Sequence, residues 1–243
     1  MATLLNLQPP APREQQPPFA ALLAETCADA AAVRDRNRDP IFGPPLLAAS
    51  ALDGTDLDSG PLWLRLDVAL DALPQDLPEL TRIEVDCPLE HLDDAVALAE
   101  GDPRPLPARL AVRVDPDGAG RGWAAESSER IAAAGAHPVL VAGRDAHDVA
   151  DFLAVLAHSA VGFVAHAADT REVVAVLAAT VAALTGDDIP AAFRAADPAP
   201  VAALSSAAAE AVREILVAIA VPAGAGIEAD LRELGITADL GAR

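Results

Sequence analysis

Leu110-Ala-Val-Arg-Val114, Pro138-Val-Leu-Val-Ala142 and Val161-Gly-Phe-Val-Ala165 are three short apolar runs, rich in β-branched residues and each bounded by Gly, Pro or Asp. Their length and flanks predict strands. Between them, 124–134 and 145–158 carry apolar residues at helical spacing, the second through Val149, Phe152, Leu153 and Leu156. Strand, helix, strand, helix, strand requires parallel pairing, because each helix returns the chain to the same end of the sheet. Parallel strands also bring their following loops to one rim, where ligands bind. The residues leaving the three strands are Asp115 and Asp117, then Arg144 and Asp145, then His166.

Working outward, Leu62-Trp-Leu-Arg-Leu-Asp-Val68 and Thr81-Arg-Ile-Glu-Val-Asp-Cys87 alternate as strands do, and Pro88 opens a helix reaching Glu100. The apolar run 46–52 fits a buried strand or a short helix equally. Asp169-Thr170 caps a helix from Arg171 to Leu184, closed by Gly186. A long amphipathic segment follows Pro198 and Pro200, and its last part, Ile215 to Val221, is β-branched enough to be a strand instead. The fold class is therefore α/β, a mainly parallel sheet with flanking helices. A small or incomplete (β/α) barrel is favoured over an open doubly wound sheet, since the units recur every ~20–30 residues without a break.

At the amino end, residues 1–18 are rich in Pro and Gln and read as a flexible lead-in. Residues 19–243 read as a single α/β domain with an N-terminal helix over 19–38. Leu22, Leu23, Cys27, Ala30 and Val33 would form its apolar face, and Arg34, Arg36 and Arg38 would meet its carboxyl end. Asp53, Asp56 and Asp58 crowd a polar turn but lack the alternating ligand spacing of a calcium loop.

Composition removes whole classes of chemistry. The net charge of −20 opposes nucleic acid and an anionic membrane surface as partners. Every basic side chain is arginine, and there is neither lysine nor tyrosine. That excludes Schiff-base aldolases, conventional pyridoxal-phosphate enzymes and nucleotide sites built on a lysine. Cys27 and Cys87 form no CxxC pair and read as buried structural residues. No signal peptide is visible, so a cytoplasmic protein is expected.

Two stretches resemble known families locally. Asp117-Gly-Ala-Gly-Arg-Gly-Trp123, with Ser128 to Ala136 and Val139-Leu-Val-Ala-Gly-Arg-Asp145, is similar to the nucleotide-binding start of short-chain dehydrogenases. The resemblance implies that Gly118, Gly120 and Gly122 face a pyrophosphate and that Arg144 meets the 2′-phosphate of NADP. Ala124 replaces that family's last glycine, and its catalytic tyrosine and lysine are missing. Val112-Arg-Val-Asp-Pro-Asp-Gly118 is similar to the strand carrying the first metal ligand in enolase-superfamily barrels, which implies a ligand role for Asp115.

The expected site gathers His166, Asp86 and Asp115 as catalytic residues, with Arg144 and Asp117 holding substrate. A divalent cation on Asp86 and Asp115 would reconcile the aspartates with an anion. The corresponding activity is a lyase or isomerase reaction on a small anionic molecule. The alternatives are a non-catalytic α/β binding or interaction domain, degenerate from an enzyme, and a domain that binds NADP. Oligomeric state is left open, homo-oligomers included.

Overall fold

In the computed structural model, which describes residues 19–52, 60–74, 76–101 and 106–237, eight parallel strands close into a barrel. They are β1 (Leu23–Cys27), β2 (Leu46–Ala48), β3 (Leu62–Leu66), β4 (Leu80–Pro88), β5 (Arg109–Asp115), β6 (His137–Val141), β7 (Phe163–His166) and β8 (Leu216–Pro222). The flanking helices are α1 (Ala30–Asp35), α2 (Leu92–Ala99), α3 (Trp123–Ala133), α4 (Ala146–Leu156), α5 (Thr170–Thr185), α6 (Ile189–Ala195), α7 (Ala199–Ala202), α8 (Ser206–Ile215) and α9 (Ile227–Glu233). The lead-in 1–18 and the acidic turn with Asp53, Asp56 and Asp58 lie outside the described residues.

The barrel is complete rather than incomplete, and the strand that completes it corrects the expected helix over 19–38. Leu23 pairs with Ile219, and Ala24 with Ala220, so β1 joins the ring where β8 would otherwise be an edge. A strand buried on both faces loses polar alternation and reads as a plain apolar run. Here Leu22, Leu23 and Ala24 are all buried, and their spacing to Cys27, Ala30 and Val33 imitates a helical stripe. Only 30–35 is helical. Asp29 caps that helix by accepting from Ala32 N at 2.8 Å, and Arg36 donates to Val33 O at 2.8 Å near its end.

Inside the barrel, Ala24, Leu46, Trp63, Ala111, Val139, Val164, Ala218 and Ala220 form one cluster. Trp63 fills the space that the alanines leave, as close packing demands. Outward-facing Leu140, Phe163, Ala165 and Ile219 meet α4 and α5, while Ile83, Leu110 and Val112 meet α2 and α3. Helix α5 is buried nearly all round, Val173 to Ala179 without a gap. Each such valine or leucine contributes about 1.5–3 kcal/mol of transfer free energy.

The run 46–52 is both things its sequence allows, strand β2 and then a single 3₁₀ turn at Ala49–Ala51. The segment after Pro198 divides into α7, α8 and β8, the last being the strand alternative. Cys27 and Cys87 are free and buried, and burial raises the Cys27 thiol to about 11. Among the described residues no helix is long and apolar enough to cross a membrane.

Candidate active site at the carboxyl end of the barrel

On β4 the side chains of Arg82, Glu84 and Asp86 share the inward face, because strand side chains alternate and Ile83, Val85 and Cys87 point outward. Glu84 is completely buried, and its Oε2 lies 3.0 Å from Nε2 of His166, the last residue of β7. A carboxylate accepts from Nε2–H, which fixes the tautomer and leaves Nδ1 with its lone pair. The imidazole also meets the Trp63 ring edge-to-face, with centroids 5.8 Å apart and planes at 75°. Thus His166 is held from two sides by strands across the barrel. The second carboxylate oxygen, Glu84 Oε1, is buried and has no hydrogen-bond partner among the described residues; the same is true of Trp63 Nε1. Such groups are costly to leave unmet, by about 1–3 kcal/mol each.

Asp86 sits one inward position further along β4. Arg113 of β5 donates to both its oxygens, from Nε and Nη2, at 2.6 Å each. That carboxylate holds the Arg113 guanidinium above its ordinary range. Asp115, at the end of β5, is exposed and faces Arg144 at 3.9 Å. Arg144 follows β6 and lays its guanidinium 5.8 Å from the Trp123 ring centroid. Asp117 is exposed in the loop between β5 and α3.

The expected residues therefore divide into two groups. His166 and Asp86 lie on the inward face of the barrel, and Asp115, Asp117 and Arg144 lie on the rim above β5 and β6. Among the described residues no group of three or more side chains is placed to hold a metal ion. Of the two aspartates expected to share a cation, Asp86 accepts from Arg113 and Asp115 faces Arg144. The glycine loop does open a helix at this rim, with Gly122 left-handed as the cap of α3, but it belongs to a closed barrel. The doubly wound sheet that the dehydrogenase likeness implies is absent, so that likeness ends at the loop.

Sequence reasoning missed Glu84 and Arg65. The register sets Arg65 of β3 against Glu84, on the same inward face as Trp63. Both were signalled by polar residues two apart at apolar strands, Arg82-Glu84-Asp86 and Arg65-Asp67. Comparison with known proteins found no family model, no curated protein and no solved structure that matches this chain.

Proposed function

We propose that the protein is an enzyme of the lyase or isomerase kind that moves a proton on a small anionic substrate at the carboxyl end of the barrel. The observation that carries this reading is the His166 to Glu84 hydrogen bond, with the carboxylate fully buried beneath an imidazole at the barrel mouth. Glu84 positions the ring, and its charge stabilises the imidazolium that forms when Nδ1 takes a proton from the substrate. Returning that proton to a neighbouring atom gives isomerisation. Delivering it to a departing group gives elimination. Arg65, on the inward face of β3, would hold the substrate anion, with Arg144 and Asp117 at the rim orienting its far end. Asp86 serves the site by fixing Arg113 rather than by acting as a base.

Hydrogen exchange tests this directly. The protein would be incubated in D₂O with a panel of small 2-oxo, 2-hydroxy and enoic acids, and loss of C–H signals followed by ¹H NMR. At least one acid should exchange. His166→Ala should slow that exchange by about 10²–10⁴-fold, the usual weight of a positioned base. Equal exchange in His166→Ala would remove the histidine from the mechanism.

A second reading, a binding domain without turnover, is favoured by the mutual neutralisation of Asp86 with Arg113 and of Asp115 with Arg144. Saturable binding of a panel member, shifting the His166 ring resonances without any exchange, would decide for it.

A further inference from the structure

The opposite end of the barrel carries an arrangement that the proposed reaction does not use. Arg82 of β4 and Arg109 of β5 are register partners, and both share the inward parity of Glu84 and Ala111. His137 begins β6 beside Ala111, and Arg213 reaches the same end from the last turn of α8. Arg213 gives Nη1 to the carbonyls of Leu216 and Val217, at 3.2 and 2.7 Å, and Nη2 to that of Ala21 at 3.4 Å. His137 Nδ1 donates to Gly162 O at 2.6 Å. Arg82 has no hydrogen bond or ion pair among the described residues; its guanidinium lies 5.3 Å from the centroid of the Trp63 ring. Arg109 is exposed, so this end opens to solvent.

We propose that the amino-terminal end of the barrel binds a doubly charged tetrahedral oxyanion, a phosphate or the phosphoryl group of a monoester, between Arg82 and Arg109 with Arg213 behind them. Arg82 and Arg109 are register partners and Arg213 is close enough to act electrostatically on Arg82, in a chain with 37 acidic and 17 basic residues, and no described carboxylate pairs with any of the three. At the other end both Arg113 and Arg144 have aspartate partners. Burial and the neighbouring Arg213 lower Arg82 to about 10, so the cluster costs free energy until an anion enters. Two guanidinium forks on adjacent strands offer at least four N–H donors and two positive charges, which match the several oxygens and double charge of a phosphate. The Trp63 ring face attracts the Arg82 guanidinium above it. The Trp63 Nε1–H is buried and has no hydrogen-bond partner among the described residues.

The test uses Trp63 as reporter. In the full chain carrying Trp123→Phe, Trp63 is the sole tryptophan. Inorganic phosphate is titrated at constant ionic strength against chloride, and Trp63 fluorescence is recorded. A saturable change is expected, with affinity weakened at least tenfold in Arg109→Gln, which is exposed and should fold normally, and in Arg82→Gln. Arg65→Gln, at the far end, should leave the titration unchanged. Glycerol 3-phosphate is the second arm: tighter binding than inorganic phosphate assigns the site to a monoester, equal or weaker binding to free phosphate. Absence of a saturable change with either compound overturns the proposal and leaves Arg82 as a packing residue on Trp63. So does a titration that survives in Arg109→Gln, or one that only Arg65→Gln removes.

Discussion

At single positions, the burial of a polar group decides more than its identity. His137 is almost fully enclosed, and burial, with Arg82 and Arg109 close by, lowers it to about 4. The neutral ring is therefore the folded form, and the unfolded chain binds the extra proton first. Stability is full above the ordinary histidine value of 6.5 and falls as pH drops from there towards about 4, by roughly 3 kcal/mol in total. Urea denaturation at a series of pH values measures this, and His137→Phe should flatten the slope in that window. The carbonyl that His137 binds belongs to Gly162, where an added Cβ would come within 2.6 Å of Ile215 O and 2.9 Å of Glu214 O. Backbone atoms cannot retreat cheaply, so Gly162→Ala should cost at least about 2 kcal/mol by the same measurement. Glu84 behaves oppositely. A buried carboxylate with one unmet oxygen is retained at a cost, and Glu84→Gln should leave the unfolding free energy within about 1 kcal/mol of wild type or raise it. A loss above about 2 kcal/mol would make Glu84 a structural residue. Of the site residues, His166 was legible because it ends its strand. Glu84 was not: the alternating polar series Arg82-Glu84-Asp86 reads as a strand's solvent face, and only closure of the sheet turns that face inward.

Among the elements, capping was the most readable feature. Asp145 and Asp169 both follow strands, and both accept from the first turn of a helix, from His147 N and Glu172 N at 2.9 Å. Glu172 reaches back to Ala168 N at 2.7 Å, which completes a reciprocal cap on α5. Because α5 is packed against the barrel along most of its length, Asp169→Ala should lower stability by about 1 kcal/mol without displacing the helix, as thermal melting and circular dichroism would show. β1 was the least readable. Its five residues carry no Gly or Pro at either flank, and apolar spacing runs unbroken from it into α1. Periodicity cannot separate a short doubly buried strand from a helix when the alanines around it suit both.

For the whole molecule, the recurrence of strand and helix sufficed to favour a barrel, while closure itself depends on β1 and was not visible. The charge of −20 acts at this scale too. Added NaCl should screen self-repulsion and raise the melting temperature by a few degrees between about 10 and 500 mM. Duplex DNA should show no saturable binding in anisotropy measurements at physiological salt, since the arginine cluster of the amino-terminal end is too small to offset the rest of the surface. The pairing of β1 with β8 has a consequence in time. Leu23 and Ile219 are partners across nearly the whole chain, so a ribosome adding ~5–20 residues per second exposes β1 for roughly 10–40 s before its second neighbour exists. During that interval the nascent chain presents an open, apolar sheet margin, and its yield in the cell depends on what shelters that margin until synthesis has passed Pro222.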